Sequence, residues 1–262
     1  MAVNIPPELR AFHRAFEKLS YTRDAAVVLD TFLDWIVWGF CADNSLSWES
    51  GKRFSENERK QFPMLFREYV KVMNERITGD GNWYDLFGTY FEAYVAGKSR
   101  RDSRGQFFTP PQICDMNVLM IATERENGKT VSDPCSGSGR FLLAFHAHAP
   151  GNFMIAEDVD RTCCMMTVCN FITHGVVGEV VWHNSLDPGS WFSGWRVNRN
   201  LNNPLHRHYG CPHVETLLKE ESFVFQHWEA RKKEVEKNLP NSDVFNIEGN
   251  MFSTNIMELT LF

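Results

Sequence analysis

The chain has 262 residues and a formal net charge of −6 at pH 7, room for one large domain or for a domain with a helical extension. That charge excludes a strongly basic nucleic-acid coat, so any contact with nucleic acid must come from a local patch or from a partner subunit. No run approaches the ~20 apolar residues of a membrane-spanning helix, and the opening "MAVNIPPELRAFHRAF" carries charge without the apolar core of a signal peptide. Seven cysteines with no C-x-x-C pair fit reduced thiols in a cytoplasm better than a disulfide framework.

Residues 1–97 read as helices. Leu9, Phe12, Phe16 and Leu19 recur at helical spacing, and a second apolar segment covers roughly 24–41. Ser55 with Glu58 forms an S-x-x-E capping box, followed on one side by Phe62, Leu65, Tyr69, Val72 and Ile77, with Pro63 a candidate kink. "NWYDLFGTYFEAYVAG" at 82–97 is a further aromatic-rich helix, and these aromatics are expected to be core. The polar stretch "KSRRDSRG" at 98–105 is the best candidate boundary, giving an N-terminal helical domain 1–97 and a second domain 98–262. From there a helix at 111–126, a strand near 130–133, a helix near 138–149, a strand at 152–157, a helix at 160–174 and a strand at 178–183 alternate. That βαβαβ run predicts a parallel sheet with right-handed crossovers. After 184 no clear period remains until an exposed charged helix within 214–238, and the tail "DVFNIEGNMFSTNIMELTLF" could supply one or two strands.

Within this run, "DPCSGSGRF" at 133–141 places two glycines between a strand and a helix, the arrangement by which backbone wraps a small ligand. A dinucleotide fingerprint needs G-x-G-x-x-G, and here Leu142 stands where the third glycine belongs. Four segments together are more informative: "GQFFTPP" (105–111), "DPCSGSGRF", "FMIAEDVD" (153–160) and "VVWHNSL" (180–186), in that order. With "DLFGTYFEAYV" (85–95) before them, they resemble the N6-adenine DNA methyltransferases, in particular the modification subunits of type I restriction systems.

The resemblance covers about residues 83–188 and implies a Rossmann-like α/β domain that binds S-adenosyl-L-methionine. Gly137 and Gly139 would allow close backbone approach to the methionine part, with Asp133 and Pro134 at the strand end and Asp133 accepting from the ammonium group. Glu157 would take both ribose hydroxyls. Asn184, where the family usually carries Asp, would face the adenine amino group through its carbonyl oxygen. Thr109 and Pro110 would close the methionine side. The implied partners are DNA and a separate specificity or other subunit, with no membrane.

The family's acceptor is the exocyclic amino group of a flipped adenine, held by Asn-Pro-Pro and stacked on an aromatic. This chain offers only "NNPLH", in which Asn203 and Pro204 are the catalytic candidates, with Leu205 and His206 in place of the second Pro and the aromatic. "WRVNRNL" before it is too polar for a buried parallel strand, and little room remains after residue 210, so the sheet could be truncated. Arg100, Arg101 and Arg104 in "KSRRDSR" are candidate phosphate contacts, against a solvated linker. His206, His208, Cys211 and His213 match no common metal spacing, so no metal is assigned. Cys163 and Cys164 are expected to pack. Two functions follow: an adenine-N6 DNA methyltransferase, or a catalytically degenerate relative that binds the cofactor, DNA or a partner and regulates.

Overall fold

The computed structural model describes residues 4–42, 53–79, 81–96, 108–122, 127–187 and 189–238. Helices α1 (Arg10–Ser20), α2 (Ala25–Gly39) and α3 (Glu56–Arg76) come first. Their starts are set by side chains that satisfy orphan N–H groups. Asp24 accepts from Ala26 N–H at 2.8 Å, and Ser55 with Glu58 closes the expected capping box (2.7 and 3.3 Å). Pro63 lies inside α3 without ending it. Helix α4 (Leu86–Tyr90) runs on into one π-helical turn, Phe91–Val95. Phe12, Phe16, Phe32, Phe62, Tyr69, Phe87 and Tyr90 are all fully buried, as their spacing predicts. Burial of each contributes on the order of 1.5–3 kcal/mol.

The second half alternates as expected: α5 (Pro111–Ile121), β1 (Thr130–Asp133), α6 (Arg140–His148), β2 (Phe153–Asp158), α7 (Arg161–His174) and β3 (Gly178–Trp182). Strands β1, β2 and β3 are parallel neighbours, with Val131 beside Met154 and Ala156 beside Val180. Both crossovers run the same way across the sheet, so α6 and α7 share one face. Cys163 and Cys164 are buried in α7.

Beyond β3 the structure departs from an all-parallel sheet. Strand β4 (Ser193–Val197) returns antiparallel to β3, and β5 (Val214–Thr216) pairs antiparallel with β4. Among the described residues the strand order is β1-β2-β3-β4-β5. "SGWRV" therefore is a strand, although too polar for a buried parallel one: it runs antiparallel, where alternation suffices. Helix α8 (Phe223–Asn238) closes the described chain, and the tail expected to add strands lies outside it.

The N-terminal helices are tied to this sheet. Arg161 at the start of α7 donates to Asp34 at 2.6 Å, Thr162 Oγ1 donates to Asp30 at 2.6 Å, and Tyr69 donates to Thr173 at 3.0 Å. Ala42 N–H donates to Val214 O and Val214 N–H to Phe40 O (2.8 and 2.9 Å), so the end of α2 borders β5. Buried apolar residues before 97 and after 108 form one cluster. The expected division at 97/98 falls on residues outside the described ones. Among the described residues no helix is long and apolar enough to cross a membrane.

Candidate functional site

Parallel strands deliver their carboxyl ends to one edge of the sheet, where open α/β folds place ligands. Here β1 ends at Asp133, β2 at Asp158 and β3 at Trp182. The loop after β1 turns through Gly137 (φ +56°) and Gly139 (φ +85°), both left-handed, before α6 begins. A Cβ on Gly137 would lie 2.9 Å from Phe108 Cδ1, and one on Gly139 2.9 Å from Thr167 Cγ2. Glycine is required at both positions by backbone conformation and by close neighbours.

Three carboxylates gather here. Asp133 is buried and accepts from Cys135 N–H at 3.1 Å. Burial, and next the charges of Asp158 and Glu157, push its pKa up to about 7, against the opposing Cys135 hydrogen bond. Asp158 accepts from Gly137 N–H (2.9 Å) and Asp160 N–H (2.8 Å), which fixes the loop to β2. Burial raises its pKa too, offset in part by these two N–H groups. Glu157 is buried, accepts from Ser132 Oγ at 3.2 Å and lies 2.7 Å from His183 Nε2. His183 Nδ1 and Ser136 Oγ are buried polar atoms without a hydrogen-bond partner in the structure.

Asn184 follows β3 at the same edge. Its Oδ1 accepts from Leu186 N–H at 3.1 Å and its own N–H donates to Ser190 Oγ at 3.1 Å. The carbonyl expected to face an adenine therefore already serves a local turn, leaving one lone pair for a ligand. Thr109 and Pro110 lead into α5, and Phe108 lies against Gly137.

The expected catalytic pair is not brought to this edge. Because β4 runs antiparallel, Ser193 sits beside Trp182 while Val197 sits beside Gly178, at the amino end of β3. The segment after β4 is anchored there. Asn198 Nδ2 donates to Phe171 O and Val176 O, both at 2.9 Å, and its Oδ1 accepts from His213 N–H at 3.0 Å. Leu201 lies 3.5 Å from the point a Cβ on Gly175 would occupy. Asn203 is exposed and its Oδ1 accepts from Leu205 N–H at 3.1 Å, while Pro204 is exposed beside it. Asn203 and Pro204 thus lie at the opposite end of the sheet from Asp133, Gly137 and Glu157. Here "NNPL" forms a turn at the base of β3, away from the glycine loop.

His213 is buried, with Nε2 3.2 Å from Asn200 N and Nδ1 2.9 Å from Cys211 O, so its ring holds the same loop. His208 stacks on it at 4.7 Å. Among the described residues no group of side chains is disposed to hold a metal ion. Arg100, Arg101 and Arg104 lie outside the described residues.

Sequence reading missed the charged cluster behind the loop. Asp85 accepts from Gly88 N–H (2.8 Å), Ser138 Oγ (2.5 Å), Arg140 Nε (2.7 Å) and Asn170 Nδ2 (2.9 Å). In sequence, Asp85 three residues before Gly88 reads only as a helix cap, and nothing there pairs it with Arg140.

A family model described as N-6 DNA Methylase matches residues 82–233. The type I restriction enzyme EcoEI methylase subunit of Escherichia coli is 24% identical over 98 residues, 37% of this chain and 20% of that protein. The structure of a type I restriction-modification system methyltransferase subunit from Streptococcus thermophilus is 21% identical, covering 71% of this chain and 42% of that one, with a TM-score of 0.37. The matched segment thus spans about a fifth of the E. coli relative's length.

Proposed function

Since the chain belongs to the N-6 DNA methylase family, its model matching residues 82–233 of 262, we propose that the carboxyl ends of β1–β3 bind S-adenosyl-L-methionine. The observation that carries this reading is the meeting of a left-handed glycine loop with three buried or half-buried carboxylates, Asp133, Glu157 and Asp158. A cationic ligand with two hydroxyls suits that set: an ammonium group offsets the mutual repulsion of the carboxylates, and Glu157 can accept from a diol. The unpaired buried Ser136 Oγ and His183 Nδ1 give further polar contacts for a bound molecule.

In this reading Asp133 and Pro134 line the ammonium end, Gly137 and Gly139 let the backbone approach, and Thr109 and Pro110 close the methionine side. Glu157 holds the ribose and Asn184 borders the adenine. The cofactor supplies an electrophilic methyl group. The chain's own residues would bind it and orient it, and its ammonium group would favour the ionised form of Asp133 against the burial that raises this carboxyl. The proposed acceptor is the N6 amino group of adenine in DNA, in the manner of a type I methylase subunit, in the cytoplasm and with a separate subunit giving sequence specificity. Arg100, Arg101 and Arg104 are proposed to touch phosphates, and the helices within 1–97 are proposed as an N-terminal helical domain that shares its buried core with the domain 98–262.

The position of Asn203 favours a second reading. With "NNPL" at the base of β3, this chain would bind the cofactor and a partner and regulate without transferring methyl. Transfer from labelled S-adenosyl-L-methionine to adenine-containing DNA separates the two, run with and without cellular partners, beside calorimetry with S-adenosyl-L-homocysteine. Binding with transfer supports the enzyme, binding without transfer supports the regulator, and no heat at millimolar ligand defeats both.

A further inference from the structure

We infer that Arg140 is a positioning residue that fixes the Phe108–Pro110 strap over the glycine loop, through a clasp made with Asp85 and Glu92. The guanidinium is buried and uses its fork in three directions. Nε donates to Asp85 at 2.7 Å, one terminal nitrogen donates to Thr109 O at 3.1 Å and the other to Glu92 at 2.8 Å. The second oxygen of Glu92 accepts from Phe108 N–H at 3.0 Å. The Phe108 ring lies 5.3 Å from the guanidinium carbon and presses on Gly137. One charged group therefore ties the start of α4, the strap and the first turn of α6 together.

Helix formation does not explain an arginine there. Arg140 is the first residue of α6, where the helix dipole disfavours a cation. Burial disfavours it as well, and two carboxylates offset both costs. The residue's geometry matches the strap instead: a planar fork reaches a carbonyl and two carboxylates at once, which a lysine ammonium on a flexible stem does not. Glu92 is the adjustable member, since its side chain is 33% exposed while those of Asp85 and Arg140 are 1% and 5% exposed. Breaking the clasp at Glu92 releases the Phe108 end of the strap and leaves Asp85 paired with Arg140.

The inference rests on the proposed cofactor reading only for the choice of ligand. Its test uses the full chain and two readouts, amide hydrogen exchange at Phe108 and calorimetry with S-adenosyl-L-homocysteine and with adenosine. In Glu92→Ala, exchange at Phe108 is expected to quicken at least tenfold, because a charge-assisted hydrogen bond is lost. Affinity for S-adenosyl-L-homocysteine is expected to fall roughly tenfold, while adenosine, which lacks the methionine part, changes less than twofold. Arg140→Lys is expected to reproduce the exchange effect. Unchanged exchange at Phe108 in both variants would overturn the clasp. Equal losses for both ligands would overturn its placement at the methionine end. If the wild-type chain binds neither ligand, the cofactor reading fails, and the exchange result decides the clasp alone.

Discussion

The two ends of β3 carry opposite lessons. At its carboxyl end, residues drawn from 108–110, 133–139, 157–158 and 183–184 meet although they are far apart in sequence, because three parallel strands must deliver their ends together. At its amino end, residues 198–213 form a loop that is local in sequence and held by its own side chains, chiefly Asn198 and His213. The first end gathers two left-handed glycines and three carboxylates. The second is built to close β4 onto β5.

The largest effect that would sharpen this contrast belongs to Glu157. If it accepts from two ribose hydroxyls, Glu157→Ala removes two charge-assisted hydrogen bonds, on the order of 3 kcal/mol together, or roughly a hundredfold in affinity. Calorimetry with S-adenosyl-L-homocysteine reads this directly. A loss under threefold would remove Glu157 from the site.

Asn198→Ala should do the reverse. The residue is fully buried, and its side chain serves two carbonyls and one amide. Truncation leaves these unpaired and is expected to cost about 2 kcal/mol of stability, seen as a lower midpoint in denaturant. Affinity for the cofactor product should stay within twofold. A large loss of affinity would mean that the two ends are coupled through β3.

A third test uses pH. Burial, with Asp158 and Glu157 nearby, raises the Asp133 carboxyl to about 7. In the folded chain Asp133 therefore keeps a proton that the unfolded chain releases near pH 4. The folded state binds more protons across that window, so this group's contribution to stability declines as pH rises from about 4 to about 7. Binding an ammonium group needs the ionised form. Affinity should rise up to tenfold per pH unit below about 7 and flatten above it. Asp133→Asn should flatten both profiles, and a wild-type affinity independent of pH from 5.5 to 7 would contradict the role.

The contrast also explains what the sequence could say. The βαβαβ run was legible because each crossover places an apolar strand, a turn and an amphipathic helix in succession, and the glycines and strand-end carboxylates fall at fixed points of that rhythm. The place of Asn203 was not legible, because a short motif shows composition while its position in the fold depends on strand direction. "WRVNRNL" gives no sign that Ser193–Val197 reverses against β3. That reversal moves everything after it to the far edge. The Asp85–Arg140 cluster was illegible for another reason: its members lie 55 residues apart and pair only once the start of α4 meets the first residue of α6.

The smallest expected effect breaks the comparison most cleanly. Asn203→Ala alters an exposed residue whose side chain serves only its own turn, through Leu205 N–H. Loss of one exposed turn hydrogen bond is worth about 0.5 kcal/mol, so the denaturation midpoint should hardly move. Affinity for S-adenosyl-L-homocysteine should be unchanged, since Asn203 and Glu157 sit at opposite ends of the sheet. Any methyl transfer detected with a partner present should also survive the substitution, because no described element carries Asn203 toward the carboxyl ends of β1–β3. Abolition of transfer by Asn203→Ala, with binding intact, would require the 198–213 loop to leave the base of β3. It would have to release both Asn198 donors and the His213 pairing together. That result would restore "NNPL" as a catalytic segment and make the described arrangement a resting state.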